Sequence, residues 1–310
     1  MNNGLHRKLQ LSIKQLKRLV GAGSKKDMDA KPFFSGKVGP QALSSSTERK
    51  PVFAVGCGRS GTHFVARLLS RDSQIESYHM DNIGAPVGDS FLQYCAWNRL
   101  PVDLEGFFHK RESLINEART MGRTYVEANP YLSFSIKPLF HRFRSRFLFV
   151  IRRPEATVNS HYVKGWYENP LVRSDLRLSL GFQYDLKGPH HFFGRFVPHG
   201  REFARWQRLT QIGKIAWMWN AFNLKIYHQL EQLPDEQHVV VKLEELDYAR
   251  YLRVCSFVGS SSPVSEEDFD QLRRARPGQG LTHRTPDTWS EQERQEFELE
   301  TKQAREMLGY

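Results

Sequence analysis

The chain of 310 residues holds only three cysteines, Cys57, Cys95 and Cys255. They are odd in number and far apart, which excludes a disulfide framework and a Cys-x-x-Cys metal site. Such usage fits a reducing compartment, so the expected location is the cytoplasm. No run of about 18 apolar residues occurs, so no segment is expected to span a membrane. No apolar core followed by a small-residue cleavage site stands at the start, so a secretory signal is not expected. There is no internal repeat. Acidic residues are outnumbered, 34 against 45 basic, for a net charge of +11. Ten of the basic residues against three acidic ones lie in residues 1–49, which leaves a net of only +4 for the rest. The basicity therefore belongs largely to a tail, and no nucleic-acid partner is expected.

That tail has a pattern of its own. Leu5, Leu9, Ile13, Leu16 and Val20 recur at helical spacing, with Arg7, Lys14, Lys17 and Arg18 on the other side of the wheel. Residues 5–20 thus read as a basic amphipathic helix able to make peripheral membrane contact, or to pack on its own domain. Residues 21–49, rich in Gly, Ser, Lys and Pro, read as a linker. The expected organisation is a tail and linker over residues 1–49 and one domain over residues 50–310.

From Lys50 onward strands and helices alternate. Apolar, β-branched runs stand at "PVFAVGC", "FLFVI" (Phe147 to Ile151) and "HVVVKL" (His238 to Leu243), with shorter candidates at "QIESY" and "TYVEA". Helical periodicity marks Thr62–Arg71, Pro154–Val163, Ile212–Leu230 and Ser290–Leu308. Strands apolar on both faces, interleaved with helices, predict an α/β fold: a P-loop-like three-layer arrangement with a central parallel sheet flanked by helices. In such sheets ligands bind beyond the carboxyl ends of the strands.

The first strand runs into "GCGRSGTHF". Gly56, Gly58 and Gly61 permit positive φ and close approach of backbone to a ligand. The helix beginning near Thr62 points unpaired N–H groups and its positive end at the same place. This makes an anion site, most plausibly for phosphate, with Ser60, Thr62 and His63 adding donors and Arg59 a fixed charge. A Gly-rich strand–helix turn that serves only packing is the plainer alternative. The Walker lysine is absent: the pattern G-x-x-x-x-G-K-[ST] would place Lys where Thr62 stands. The later strand "FLFVI" continues into Arg152 and Arg153 rather than into the Asp of a Walker B strand. A magnesium-bound triphosphate is therefore a poor fit, and a second phosphate near Arg152 a better one. Pro154 suits the first turn of the helix that follows. Ser160, two turns on, could meet Arg152 across one phosphate, although a solvated Arg and a helix-face Ser would be commoner.

Together these stretches resemble the PAPS-dependent sulfotransferase family, of P-loop-like fold. "GRSGTHF" is similar to the family's 5′-phosphosulfate loop, and Arg152, Pro154 and Ser160 match its R-x-P-x5-S motif for the 3′-phosphate. "YVEANPYL" resembles its E-K-[ST]-P segment with Ala128 in place of Lys. "VVVKLEEL" and the closing "LGY" are also family-like, so the likeness covers roughly residues 50–310. It implies transfer of a sulfuryl group from 3′-phosphoadenosine 5′-phosphosulfate (PAPS) to a hydroxyl or amine by in-line displacement, without a metal. It implies Gly58, Arg59, Ser60, Gly61, Thr62, His63, Arg152 and Ser160 as cofactor-binding residues. Arg284, in the Gly-rich basic loop "RPGQGLTHR", joins them as a closure on the 3′-phosphate. Arg59 would act on the leaving group electrostatically, since a guanidinium does not give up its proton.

The base stays open on these grounds. Glu76, His79 and Asp81 follow the first helix; position favours His79 or Asp81, with Glu127 an outsider. Each could equally cap or brace a loop. Residues 165–208 hold Trp166, Tyr167, Phe182, Tyr184, Phe192, Phe193, Phe196 and Trp206, with His190, His191, His199 and several arginines. They read either as core or as a platform for an acceptor such as a carbohydrate, glycolipid or small alcohol. Two rival functions make distinct forecasts. A P-loop kinase or NTPase would bind ATP with Mg²⁺; a non-catalytic adaptor would bind membrane or nucleic acid through residues 1–49 and ignore PAPS.

Overall fold

The computed structural model describes residues 49–80, 86–168, 194–275 and 284–310, all within the unit Val38–Tyr310. The tail helix expected over residues 5–20 and the linker, as far as residue 48, lie outside the described residues. So do Asp81, Phe182, Tyr184, His190, His191, Phe192, Phe193 and all of the Arg276–Arg284 loop except Arg284 itself.

Five strands form one sheet: β1 (Val52–Val55), β2 (Ile75–His79), β3 (Thr124–Ala128), β4 (Arg146–Ile151) and β5 (His238–Lys242). Their order is β2-β3-β1-β4-β5, and every pairing is parallel. Ten helices connect or follow them among the described residues: α1 (Thr62–Leu69), α2 (Pro86–Asn98), α3 (Glu105–Thr120), α4 (Ile136–Phe143), α5 (Pro154–Val163), α6 (Arg201–Gln207), α7 (Gln211–Leu230), α8 (Tyr248–Val258), α9 (Glu266–Arg274) and α10 (Glu291–Leu308).

The layering follows from strand geometry. Side chains alternate across a sheet, so Phe53 and Val55 of β1 pack on one face while Val52 and Ala54 pack on the other. In β4, Phe147, Phe149 and Ile151 join the first core with α7 and α10; Leu148 and Val150 join the second with α1, α8 and α9. β1 is buried throughout and β4 from Phe147 onward, which is why these stretches are continuous apolar runs. The resulting three-layer α/β arrangement is the one the sequence pattern predicts. Its α1, α5, α7 and α10 start or end within two residues of the predicted bounds. No helix among the described residues is long and apolar enough to cross a membrane.

The strand order fixes where a ligand can sit. From β1 the chain crosses to one side, reaching β2 beyond β3; from β4 it leaves to the other side, toward β5. The connections after β1 and β4 thus part in opposite directions and open a crevice at the carboxyl edge between two neighbouring strands. Both phosphate-type segments lie on the rim of that crevice.

Candidate phosphate and catalytic site

The loop after β1 is shaped by close backbone contact. A Cβ on Gly56 would stand 2.2 Å from the Val150 carbonyl oxygen, and one on Gly61 2.6 Å from Leu243. Gly61 also has φ +106°, so only glycine meets both demands without strain. Ser133, just past β3, fastens the loop from below: its Oγ accepts from the Gly56 N–H at 3.0 Å and faces the Gly56 carbonyl at 3.2 Å. Arg59 itself is held at φ +68°, an uncommon conformation for a residue with a Cβ. The helix start it adjoins has no side-chain cap and no acidic residue in its first turn. The Ser60 hydroxyl beside it is buried without a hydrogen-bond partner. Unpaired donors and a positive helix end therefore face the crevice together.

The second segment reaches the first directly. Arg59 Nε donates to Ser160 Oγ at 2.9 Å, so α5 lies over the loop and the two sequence motifs form one site. Arg152 leaves the end of β4 with its carbonyl fixed by Trp219 Nε1 of α7 at 3.2 Å. Burial lowers the Arg59 pKa. Burial also lowers that of Arg152; Glu244 opposes the shift, and Arg59 and Arg153 add to it. Two partly desolvated guanidiniums near each other favour a bound anion, because its charge offsets both the lost solvation and the repulsion. Arg284 stands on the same flank: it pairs with both Glu293 oxygens at 3.0 Å and lies 5.1 Å from the Tyr162 ring centroid. Tyr162 is two residues beyond Ser160.

His161 is a residue the motif search passes over, although it sits one turn beyond Thr157 and faces the loop. Its Nδ1 lies 3.0 Å from the Thr157 carbonyl, so that nitrogen carries the proton. Nε2 is a buried lone pair without a donor, placed against Gly58. Burial above all, with Arg59 and Arg195 adding to it, lowers its pKa to about 3. A pH dependence follows. Above the ordinary pKa of 6.5 the ring is neutral whether the chain is folded or not, and its contribution to stability is complete. Below 6.5 the unfolded chain takes up a proton that the folded chain refuses, so stability falls until the pH nears 3. The loss from this group is expected to reach about 2 kcal/mol by pH 5. Urea midpoints measured from pH 7 to pH 4.5 for the native chain and His161→Gln check it; parallel curves for the two proteins would contradict the assignment.

The candidate bases separate clearly. His79 ends β2 at the same carboxyl edge, and its ring packs on that of His63, in the first turn of α1, with centroids 4.7 Å apart. Glu76 instead pairs with Arg123 at 2.7 Å. Glu127 is wholly buried: Arg111 Nε and Nη2, Tyr125 Oη and Asn129 Nδ2 donate to its two oxygens at 2.7–3.0 Å. A carboxylate so enclosed braces β3 rather than meeting an acceptor. The aromatics divide as well: Tyr167, Phe196, Trp206, Trp217, Trp219 and Phe222 are core, while Trp166 is half-buried and packs edge-on to His161 at 4.5 Å.

No protein-family model matches the chain, and no curated protein sequence matches it. Solved structures similar to it include the sulfotransferase domain of the olefin synthase from Synechococcus PCC 7002, at 13% identity and TM-score 0.43, over 87% of this chain and 99% of that one. The sulfotransferase domain from the curacin biosynthetic pathway is similar at 12% identity and TM-score 0.46, over 86% and 99%. Mouse sulfotransferase SULT7A1, complexed with PAP, is similar at 14% identity and TM-score 0.38, over 74% and 63%.

Proposed function

We propose that the protein is a PAPS-dependent sulfotransferase. The observation that carries the reading is the Arg59–Ser160 hydrogen bond, which joins the loop after β1 to the R-x-P-x5-S segment after β4 in one crevice. The residues present fit a ligand with two phosphoryl ends. The Gly58–Thr62 loop, its helix N-terminus, Ser60 and His63 suit the 5′ end; Arg152 and Ser160 suit the 3′-phosphate, with Arg284 on the flank. Bound there, PAPS would supply a sulfuryl group attached through a good phosphate leaving group.

The chain's own residues then have distinct roles. Arg59 meets the negative charge that develops on the departing phosphate oxygen, where a fixed, partly desolvated cation acts most strongly. It needs no magnesium for this, since a guanidinium supplies charge and donors alone. His79 takes the proton of the acceptor hydroxyl, and His63, stacked on it, holds it near the loop. Asp81 is the second candidate for that proton. The acceptor classes proposed are a carbohydrate, a glycolipid or a small alcohol.

Calorimetric binding of adenosine 3′,5′-bisphosphate (PAP), with and without EDTA, tests the reading. Binding is expected to be indifferent to EDTA and tighter than that of AMP, which lacks the 3′-phosphate. Arg152→Ala is expected to weaken PAP about 10- to 100-fold, the range for hydrogen bonds to a charged group, while leaving AMP unchanged. PAP binding no tighter than AMP would refute the assignment of Arg152 and Ser160. Dependence on Mg²⁺ and ATP would favour a nucleoside triphosphatase instead.

A further inference from the structure

A second positively charged surface lies where the end of α2, residues 196–199 and the middle of α7 meet. Trp97 is its centre. Its Nε1 donates to the Val197 carbonyl at 2.8 Å, and its ring stacks on Phe196 at 4.4 Å and on His199 at 5.4 Å. Lys225 of α7 holds its ammonium 5.5 Å from the Trp97 centroid and 5.1 Å from that of Phe134. Arg99 follows on the exposed side, in a left-handed backbone conformation with φ +55°.

The group's charge is unbalanced. No ion pair among the described residues includes Arg99 or Lys225. Among the described residues, the Lys225 ammonium meets aromatic faces and no carboxylate. Burial first, and Arg99 second, pull its ammonium below the ordinary lysine pKa. Burial, Arg99 and Lys225 act on His199 in the same direction. Glu202 alone opposes them at His199, and it is engaged by Trp217 Nε1 at 3.0 Å and by Arg205 at 3.5 Å. His199 Nε2 lies 3.2 Å from Asn98 Oδ1. Cations gathered without counter-ions raise the energy of the free protein, and a bound anion relieves it.

The surface adjoins the phosphate crevice through two short pieces of chain. Phe134 follows Ser133, which fastens Gly56; Phe196 follows Arg195, whose guanidinium lies 5.4 Å from the Trp166 ring. Trp166 in turn packs on His161, behind Gly58.

We propose that Lys225, Arg99 and His199, arrayed on Trp97, bind an anionic group, a carboxylate or a sulfate ester, carried by the acceptor. That the ligand is an acceptor rests on the sulfotransferase reading; that the surface takes an anion does not. Lys225 supplies the half-buried charge and Arg99 a planar fork at the rim, with His199 stacked on the indole beside them.

The test is calorimetric binding of p-nitrophenyl β-D-glucuronide and of the neutral p-nitrophenyl β-D-glucoside to the full chain, which isolates one carboxylate. The glucuronide is expected to bind about tenfold tighter, as a charge-assisted contact gives. That preference is expected to vanish in Lys225→Met, which keeps the apolar stem over Trp97 and Phe134. It is expected to shrink in Arg99→Asn, which suits the left-handed backbone better than Arg and so does not threaten the fold. PAP affinity is expected to be unchanged in both. Equal binding of the two glycosides, a preference that survives both substitutions, or binding only to phosphatidylserine vesicles would overturn the proposal. Absence of PAP binding to the native chain, with the glucuronide preference present there, would instead count against the sulfotransferase reading alone.

Discussion

Arg59→Ala is expected to lower turnover of PAPS with any acceptor that supports reaction by about 10²- to 10³-fold, the range for removing one preorganised charge stabiliser. In the ground state Arg59 is oriented by Ser160 at 2.9 Å, so its larger contribution is expected where charge develops. On the sulfotransferase reading, charge would accumulate on the phosphate leaving group in the transition state, and Arg59 is the cation that the loop would present to it. The fall should therefore appear in kcat more than in KM. Arg59→Lys should recover part of the rate, since a lysine keeps the charge but loses the planar fork that reaches Ser160. Initial rates with radiolabelled PAPS decide it. An Ala variant that keeps full kcat and only raises KM would make Arg59 a binding residue and nothing more.

Arg111→Met is expected to destabilise the fold by about 3–5 kcal/mol, the cost of leaving a buried charge without its partner. Arg111 is 1% exposed and sits between Asp89 Oδ2 at 2.8 Å and Glu127 Oε1 at 2.7 Å. Asn129 Nδ2 donates to both carboxylates at 2.8 and 3.0 Å. Burial already pushes the Asp89 carboxyl above its ordinary range despite Arg111. Without the guanidinium two carboxylates would face each other in the core, and Asn129 cannot neutralise either. Glu127→Gln removes one charge while keeping the shape, and is expected to cost much less. Urea unfolding of the two variants measures the difference. A Glu127→Gln protein that is stable but wholly inactive would reinstate Glu127 as the base.

The sheet and the crevice were legible because their signals are local. β1 and β4 announce themselves as continuous apolar runs, Pro154 marks the start of α5, and Gly61 stands where the backbone takes φ +106°. The bridge between Arg59 and Ser160 was not legible. The motifs suggest that Ser160 faces Arg152, but the contact formed across 101 residues is to Arg59, and only the strand order brings the two together. The buried ion network was hidden for a related reason. Arg111 reads as one charge among many on the polar helix "EGFFHKRESLINEART", and its role appears only when α3 packs on β3. The Lys225 surface is equally silent in sequence: nothing along α7 distinguishes a lysine over two aromatic rings from one in water. Residues that act through neighbours distant in the chain leave no periodicity to read.

The left-handed twist at Arg59 has a bearing on how such a protein would drift. Glycine relaxes that backbone torsion at no steric cost, so a lineage selected for heat tolerance alone would gain by trading the arginine away. On the sulfotransferase reading the more durable molecule would then be the idle one, and persistence of arginine at this point would itself record continued use.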